Sequence, residues 1–315
     1  GGGARWPRSR GDAVAAARPV TLDRPPRAPR LDPLEVRRTL RREGLRASHS
    51  RSQNFLADPD VLEAILELAE AGPGTRVLEI GPGLGILTGG LLHGGAEVTA
   101  VELDRNLSAY LHEHFAEPIE AGRLRLIEAD ALDLDLPDLV ASPFRVVANI
   151  PYHITSPLLH RLLERPPRPD RLVLMVQAEV ADRIAAPAGR MSYLSVFVQF
   201  HAGVRVALKV PPEAFEPAPS VASAVVVLEP HSEPGLPAER AEALWGLVQA
   251  GFRERRKMLR NVLGRQLRAG PDGASGPLVG QAQVDAALAA AGIEGDRRPQ
   301  TLSVEDWIRL LEVLA

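Results

Sequence analysis

The amino-acid sequence predicts an α/β fold, in which a mostly parallel sheet is covered by helices on both faces and is followed by a small helical domain. Short apolar segments alternate with helix-compatible segments between residues 76 and 185, a spacing typical of parallel βαβ units. Two further apolar segments, 204–209 and 221–228, leave no room for a crossover helix between them. They are therefore expected to pair as an antiparallel end of the sheet. Only helical patterns follow residue 236.

Composition limits the protein to the ordinary globular classes. Its 315 residues correspond to about two domains at ~150 residues per domain. With 45% hydrophobic and 24% charged residues, the chain is not collagen-like, wholly disordered or a coiled coil. Cysteine is absent, which excludes a disulfide framework and a thiol nucleophile, and no metal site is predicted. No apolar segment approaches the ~20 residues of a membrane span, so we expect no membrane association and a cytoplasmic protein.

The chain divides into three predicted regions. Residues 1–32 are rich in Gly, Pro and Arg and lack apolar periodicity, so they are expected to form a disordered extension. Residues 33–235 carry the alternating strand and helix patterns and form the predicted ligand-binding domain. Residues 236–315 form the predicted helical domain.

Each predicted element has a local signal. Before the sheet, helices are predicted at 33–43, between Pro33 and the stop signal Gly44, and at 59–71. Short apolar runs predict the parallel strands at 76–80, 97–101, 124–127, 145–148 and 172–176. The intervening segments predict helices after residue 85 and at 104–115, 157–164 and 178–185. Helices are also predicted at 238–267, 284–291 and 304–314. The last of these has Ser303 as its N-cap and acidic residues in its first turn.

The predicted ligand site lies at the carboxyl ends of the parallel strands, where sheets of this kind bind ligands. The first strand ends in a glycine turn, Gly81-Pro82-Gly83-Leu84-Gly85, whose backbone a ligand can approach closely. The spacing G-x-G-x-G lacks the third glycine of a dinucleotide fingerprint, and no P-loop sequence is present. Glu102 follows the second strand, where a carboxylate can accept both hydroxyls of a ribose. Asp130 follows the third strand and could accept from the amine of an adenine.

Glu102 and Asp130 also have simpler interpretations, as a surface residue that ends a strand and as the N-cap of a helix. A nucleoside ligand without a pyrophosphate nevertheless fits the glycine turn and the two carboxylates together. On a sheet with an antiparallel end, this combination indicates S-adenosylmethionine as the cofactor, bound beside Gly81 and Gly83.

The fourth strand is followed by Asn149-Ile150-Pro151-Tyr152, which fits a site for methylating the N6 amine of adenine. That nitrogen is a poor nucleophile because its lone pair is delocalised into the ring. The Asn149 side-chain oxygen and the carbonyl of Ile150 or Pro151 could accept its two N–H groups and favour a pyramidal nitrogen. Pro151 fixes the turn, and Tyr152 offers a face for stacking a flipped base. The alternative is a turn that ends a strand beside a core tyrosine.

These segments together resemble the KsgA/RsmA family of rRNA adenine N6,N6-dimethyltransferases over residues 46–314. The glycine turn and the acidic residues alone are shared by many methyltransferases, whereas the complete ordered set is specific. The resemblance does not explain the arginine-rich extension before Arg46. The set consists of Ser52-Gln53-Asn54-Phe55-Leu56, Leu78–Thr88, Val101-Glu102-Leu103-Asp104, Glu128-Ala129-Asp130, Asn149–Thr155, Phe215–Ser223 and Phe252–Asn261.

The resemblance implies a Rossmann-like class I S-adenosylmethionine-dependent methyltransferase sheet. It also implies that Asn54 and Leu56 fold over the methionine end of the cofactor. Glu102 would then bind the ribose and Asp130 the adenine, with Asn149 bordering the cofactor as well as the target base.

The resemblance further implies a second wall for the target base. Phe215 lies in a proline-rich segment, where an aromatic residue is more often a packing residue than a catalytic one. The family pattern places it across the base from Tyr152, so that the two rings form a sandwich.

Charge is distributed unevenly along the chain, although the net charge is only −3. Residues 1–51 hold thirteen arginines against five acids, and a second basic cluster occupies residues 253–268. Charge runs of this kind are usually solvated faces, but these two flank a catalytic-looking core. We therefore predict RNA binding by the second cluster, through Arg253, Arg255, Arg256, Lys257 and Arg260.

The predicted activity, which the resemblance implies, is the transfer of four methyl groups to two adjacent adenosines near the 3′ end of small-subunit rRNA. The expected partner is that rRNA within a pre-ribosomal particle, with a role in subunit maturation, and the expected oligomeric state is a monomer. Two alternatives stay open. One is an Erm-type large-subunit rRNA methyltransferase, which the Phe252–Asn261 segment disfavours, and the other is an RNA-binding assembly factor whose methylation is secondary. A nicotinamide-dependent dehydrogenase is a further alternative, from a third class of function.

Overall fold

The fold is described by a computed structural model that covers residues 32–47, 53–164, 166–233, 235–270 and 275–314. The predicted extension at 1–32 lies outside these residues except for Asp32. The Asp32 carboxylate accepts from the N–H groups of Leu34 and Glu35 and caps the first helix, which begins at the predicted Pro33. No helix within the described residues is long and apolar enough to cross a membrane.

The central sheet contains seven strands, five of them parallel. In chain order, the strands of the described residues are β1 (Phe55–Leu56), β2 (Arg76–Ile80), β3 (Glu97–Glu102), β4 (Leu124–Glu128), β5 (Arg145–Asn149), β6 (Arg171–Gln177), β7 (Ala202–Val210), β8 (Phe215–Glu216) and β9 (Ser223–Pro230). The sheet order is β4-β3-β2-β5-β6-β9-β7, and β9 is antiparallel to both β6 and β7. The predicted α/β sheet with an antiparallel end is therefore confirmed.

Helices follow most of the parallel strands, as the sequence predicts. The helices of the described residues are α1 (Pro33–Arg42), α2 (Pro59–Ala69), α3 (Ile86–His93), α4 (Arg105–His114), α5 (Ala116–Glu120), α6 (Thr155–Leu163), α7 (Ala178–Ile184), α8 (Tyr193–His201), α9 (Ala238–Phe252), α10 (Leu259–Gln266), α11 (Gln281–Ala290) and α12 (Val304–Leu314). At α12, the predicted N-cap Ser303 accepts from the Asp306 N–H, and the Asp306 carboxylate accepts from the Ser303 N–H. This reciprocal pair fixes the start of the last helix.

Alternating side chains along each parallel strand divide the buried residues of the sheet between two cores. In β2, Leu78 and Ile80 pack on one face with α6, α7 and α8, whereas Val77 packs on the other face with α2, α3 and α4. Because both faces are covered, these strands are nearly continuous apolar runs.

The C-terminal helices α9 to α12 have a core of their own, centred on the fully buried Trp307. Val196 and Phe200 of α8 contribute to the same core, so the helices rest directly on the sheet domain. Residues 31–315 form one compact unit. The domain boundary near residue 236 stays a prediction.

Helix α8 and the short pairing of β1 with β8 were not predicted. Most residues of α8 are buried, so the segment lacks the polar face that gives a surface helix its period. Its one local signal is a capping box between Ser192 and Ser195. Strands β1 and β8 have two residues each, which is too short for a recognisable alternation.

The single helix predicted at 238–267 is wrong, because a turn at residues 253–258 separates α9 from α10. The first amide groups of α10 find partners in another segment. The Leu259 N–H donates to the Arg297 carbonyl (2.7 Å), and the Arg260 N–H donates to the Gly295 carbonyl (3.1 Å). These tertiary contacts satisfy the first N–H groups of α10, which otherwise lack partners within the helix. The start of α10 therefore needs no local signal such as glycine or proline in the sequence.

Candidate active site

The predicted catalytic and cofactor-binding residues converge on one cleft at the carboxyl edge of the sheet, with the exception of Asp130. The cleft lies beside β2 and β5, which are neighbouring parallel strands whose onward connections lead to opposite sides of the sheet. Such a switch point is where open α/β sheets bind ligands. The cleft encloses about 820 Å³, part of it open to solvent, and its walls include Asn54, Leu56, Gly81, Gly83, Glu102, Asn149, Pro151, Tyr152 and Phe215.

The glycine turn fits closely between two other segments of the cleft. Gly83 has a φ of +59°, and a Cβ atom at this position would lie 3.1 Å from the Phe55 ring. On the other side, a Cβ atom at Gly81 would lie 3.8 Å from Pro151. The absence of a side chain at Gly83 therefore lets the turn pack closely against Phe55, whereas Gly81 has ordinary space beside Pro151.

Glu102 connects the end of β3 to the glycine turn. Its Oε2 accepts from the Gly83 N–H (3.0 Å), and its Oε1 accepts from the Asp104 N–H (2.8 Å). Burial raises the pKa of this carboxyl, and the backbone N–H groups act in the opposite direction. An ionised carboxylate offers about four acceptor sites, so these backbone bonds leave acceptor capacity for a hydroxyl of a ligand.

Glu79 is a second carboxyl group in the cleft, and the sequence analysis missed it. Its Oε2 accepts from the Thr88 hydroxyl (2.7 Å). Burial, assisted by the Glu102 carboxylate and opposed by the Thr88 hydrogen bond, raises the pKa of Glu79 to about 8. Glu79 is therefore mostly protonated at pH 7. The available signal was an acidic residue within an apolar strand, two positions before the glycine turn.

The side chain of Asn149 is oriented by a backbone carbonyl. Its Nδ2 donates to the carbonyl oxygen of Asn54 at 3.2 Å. The opposite atom of the amide, Oδ1, has no hydrogen-bond partner among the described residues. It is the atom predicted to accept from the N6 amine, and it is free to do so.

Hydrogen bonds in the turn after Asn149 distinguish the carbonyls of Ile150 and Pro151, the two candidates for the second acceptor of the N6 amine. The Pro151 carbonyl already accepts from the Ile154 N–H at 3.1 Å. The Ile150 carbonyl accepts from no N–H group within the part of the chain that the structure describes. This geometry favours the Ile150 carbonyl as the second acceptor.

The two aromatic rings of the predicted sandwich lie on different walls of the cleft. Tyr152 is half-buried, and its hydroxyl hydrogen-bonds to the Ser223 Oγ at 3.1 Å. Phe215 is buried in β8, which pairs with β1. Neither ring contacts another aromatic ring among the described residues. Stacking of a base between the two rings stays a prediction.

Asp130 lies after β4 but is not part of the cleft wall. Its Oδ1 accepts from the Leu132 N–H at 2.8 Å, which makes it the N-cap of a short 3-10 helix at Ala131–Asp133. The simpler interpretation of this residue is thus observed, and its contact with adenine stays a prediction.

The predicted RNA-binding side chains are all exposed, on the turn between α9 and α10 and at the start of α10. Arg253 donates to the Gln266 Oε1. The acid within the cluster, Glu254, pairs with Arg265 at 3.1 Å. Within the described ranges, no acidic side chain pairs with the remaining predicted residues, which are Arg255, Arg256, Lys257 and Arg260.

A family model described as ribosomal RNA adenine dimethylase matches residues 44–315. Among curated relatives, the "Ribosomal RNA small subunit methyltransferase A" of Thermosynechococcus vestitus (strain NIES-2133 / IAM M-273 / BP-1) is 45% identical over 278 residues, covering 86% of this chain and 97% of the relative. The protein of the same name from Anaeromyxobacter sp. (strain K) is 41% identical over 293 residues, with 88% and 97% coverage.

Two solved structures have similar folds. The 23S rRNA methyltransferase ErmE has a TM-score of 0.65 and 31% identity, covering 83% of this chain and 99% of its own. A dimethyladenosine transferase from Plasmodium falciparum has a TM-score of 0.67 and 25% identity, with 81% and 95% coverage. The Rossmann-like methyltransferase sheet is thereby confirmed, and the dehydrogenase alternative is wrong. Since the family model spans nearly the whole described chain, the protein belongs to the ribosomal RNA adenine dimethylase family.

Proposed function

We propose that this protein uses S-adenosylmethionine to dimethylate two adjacent adenosines near the 3′ end of small-subunit rRNA. The observation that carries the proposal is the convergence of Asn149, Tyr152 and Glu102 on one cleft at the switch point of the sheet. An acceptor for an amine, a ring for stacking and a carboxylate for a ribose are the groups that this reaction requires.

The residues of the cleft fit the proposed cofactor. Glu102 keeps acceptor capacity beyond its bonds to Gly83 and Asp104, which suits a ribose hydroxyl. The glycine turn offers backbone at close range, and Asn54 and Leu56 cover the opposite side. Asp130 is assigned to the adenine on the family pattern alone.

The protein's own contribution to the reaction is orientation and hydrogen bonding. When bound, S-adenosylmethionine supplies a methyl group whose C–S bond breaks as the N6 lone pair forms the C–N bond, and N6 then loses a proton to water. Asn149 Oδ1 and the Ile150 carbonyl accept from the amine and favour its pyramidal geometry. The Tyr152 ring holds the flipped base by stacking, a contact worth ~1 to 3 kcal/mol. Phe215 closes the site from the opposite wall.

The choice of the small subunit rests on the relatives. The chain is 45% and 41% identical to two proteins named for the small subunit, against 31% for ErmE, whose name refers to 23S rRNA. An Erm-type activity is therefore the second candidate, supported by the shared fold.

The exposed basic turn between α9 and α10 supports binding to the rRNA backbone. Arg255, Arg256 and Lys257 project from one short segment, where they can reach neighbouring phosphates. We propose that the enzyme acts as a monomer on a pre-ribosomal particle in the cytoplasm and contributes to subunit maturation.

The decisive experiment supplies labelled S-adenosylmethionine with undermethylated small or large subunits and maps the labelled nucleotide. The proposal expects dimethyladenosine at two adjacent positions of small-subunit rRNA. Label in large-subunit rRNA would support the Erm-type alternative. Normal subunit maturation by a catalytically dead Asn149→Ala protein would support the assembly-factor alternative.

A further inference from the structure

The hydroxyl of Tyr152 has a partner that the sequence does not indicate. The Tyr152 ring lines the cleft, whereas its hydroxyl reaches the Ser223 Oγ at 3.1 Å, a residue 71 positions further along the chain. From the sequence alone, only the ring of Tyr152 has a role, and its hydroxyl is expected to be dispensable.

Ser223 is a rigid support for that hydroxyl. It is the first residue of β9 and is paired on one side with Gln177 of β6 and on the other with Val210 of β7. Its side chain is 1% exposed, so water does not compete for the hydrogen bond. A short side chain on a strand that is held from both sides can move very little.

Ser223 also lies next to the segment that carries the other ring of the predicted sandwich. It directly follows the segment 211–222, which connects β7 to β9 and carries Phe215. The Phe215 end of that segment is held separately, by the pairing of β8 with β1 and by the Ala57 N–H, which donates to the Ala214 carbonyl at 2.8 Å. Ser223 therefore supports the Tyr152 ring of the sandwich, and β1 supports the segment of Phe215.

We propose that Ser223 is a positioning residue for Tyr152, and that their hydrogen bond governs the efficiency of the second methyl transfer to each adenosine. This inference rests on the proposed function. An unmodified N6 amine presents two N–H groups to the acceptors Asn149 and Ile150, whereas a monomethylated amine presents only one. Orientation of the base then depends more on the ring face of Tyr152. Loss of the hydrogen bond to Ser223, which leaves the Tyr152 ring less firmly placed, therefore slows the second transfer more than the first.

The test measures both transfers in single-turnover reactions on undermethylated small subunits, with nucleoside analysis of the product. For Ser223→Ala and Tyr152→Phe, the second transfer slows by about fivefold more than the first, the effect expected from loss of one hydrogen bond. Monomethyladenosine therefore accumulates. The double variant equals each single variant, because both remove the same contact.

Two further measurements separate positioning from a general structural effect. The Kd for S-adenosylmethionine and the unfolding midpoint are expected to stay close to wild type in Tyr152→Phe. Ser108→Ala is a matched control, since Ser108 is equally buried, at 1% exposure, but its hydroxyl has no partner in the described structure and it does not line the cleft. This control is expected to leave the product ratio unchanged.

The inference is overturned if the product ratio of Tyr152→Phe matches wild type, if both transfers slow equally, or if the two substitutions have additive effects. Should Ser223→Ala fail to fold, the product ratio of Tyr152→Phe decides alone. Failure of the proposed function is a distinct result, because the wild-type protein would then leave small-subunit adenosines unmethylated.

Discussion

Asn149 and Glu102 are each held by a backbone group from a different segment of the chain. The Asn149 amide donates to the Asn54 carbonyl, and the Glu102 carboxylate accepts from the Gly83 N–H. In both cases the contact uses one atom of the functional group and leaves another for a ligand. The hydrogen-bonding groups are therefore oriented before substrate binds, which is the arrangement that favours a transition state.

Removal of the Asn149 side chain is expected to affect mainly the chemical step. Its hydrogen bond to N6 strengthens as the nitrogen becomes tetrahedral and positive, so Asn149→Ala should slow methyl transfer by ~100-fold or more. Asn149→Asp should also be slow, because a carboxylate cannot donate to the Asn54 carbonyl. Single-turnover assays measure this rate. Near wild-type transfer by the alanine variant would remove Asn149 from the mechanism.

Substitution of Glu102 is expected to weaken cofactor binding by ~3 to 6 kcal/mol, the sum of two charge-assisted hydrogen bonds at ~1.5 to 3 kcal/mol each. Because Glu102 accepts from the Gly83 N–H, Glu102→Ala also removes support from the glycine turn. We therefore expect a lower unfolding midpoint as well. Calorimetry of Glu102→Ala, with Glu128→Ala at the exposed end of the neighbouring strand as control, tests the prediction. An unchanged Kd would exclude Glu102 from the cofactor site.

Glu79 is expected to make the ligand-free protein less stable as pH rises. Its pKa of about 8 lies above the ordinary 4.5, so the folded state binds more protons than the unfolded state between these values. Stability then falls across this window, by up to about 1.4 kcal/mol per pH unit. Glu79→Gln should reduce the slope, and the raised pKa of Glu102 should leave a residual slope of the same sign.

Denaturant unfolding between pH 6.5 and 8 isolates this effect. Burial lowers the pKa of His201 to about 3 and also lowers the pKa of His160, so both histidines add a slope of opposite sign near pH 6.5 that is the same in wild type and in Glu79→Gln and cancels in their difference. Equal slopes for wild type and Glu79→Gln would show that Glu79 ionises at its ordinary pH.

At the scale of the elements, the glycine turn and α3 pack closely against α4 and against Phe115, the residue after α4. Gly85 precedes α3 with a φ of +75°, and a Cβ atom there would lie 2.3 Å from the Phe115 ring and 2.8 Å from Leu111. The turn is therefore packed from behind as well as facing the cleft, so its shape is fixed by the core.

Gly85→Ala is expected to destabilise the protein more than a substitution that introduces backbone strain alone. Gly122 is the matched control, since its φ is +71° and nothing lies within 4 Å of its added Cβ. Gly122→Ala should cost roughly 1 to 2 kcal/mol from the left-handed conformation. Gly85→Ala should cost about 1 to 3 kcal/mol more from overpacking. Equal losses in denaturant unfolding would mean that the Phe115 ring moves aside freely.

Elements with local signals were predicted from the sequence, and elements that depend on distant partners were not. Strand β2, its glycine turn and Glu102 follow from apolar runs and spacing. Helix α8 has no polar face, and the start of α10 is satisfied by carbonyls of residues 295 and 297. The contact between Tyr152 and Ser223 joins residues from two separate elements, and neither local pattern contains it. Family resemblance supplied Phe215, whose role no spacing indicates.

Across the whole molecule, the exposed basic turn lies in the C-terminal helical region, while the cleft lies at the edge of the sheet. On the proposed function, recognition of the RNA backbone and chemistry on a base would therefore depend on different residues. Arg256 and Lys257 can be changed without touching any residue that lines the cleft.

Charge reversal on the basic turn is expected to weaken subunit binding without changing cofactor affinity. Each phosphate contact contributes about −0.7 to −0.9 to the slope of log K against log salt. Arg256→Glu with Lys257→Glu should therefore lower affinity and flatten the slope by roughly 1.5. The control is Arg76→Glu with Arg123→Glu, an equal charge change at the amino edge of the sheet. A steep, unaltered slope in the first variant would mean that the turn is a solvated face.

The contact that orients Asn149 comes from the main chain of residue 54, so it does not depend on which side chain stands there. A substitution at position 54 therefore leaves the main-chain acceptor of Asn149 in place, so a loss of cofactor binding in Asn54→Ala would report on the Asn54 side chain, which is predicted to cover the cofactor. A deletion between residues 53 and 57 would act differently, because it would shift the carbonyl away from Asn149 and the β1 register away from Phe215. Point substitutions and changes of length in this segment should accordingly separate cofactor binding from the orientation of the Asn149 amide.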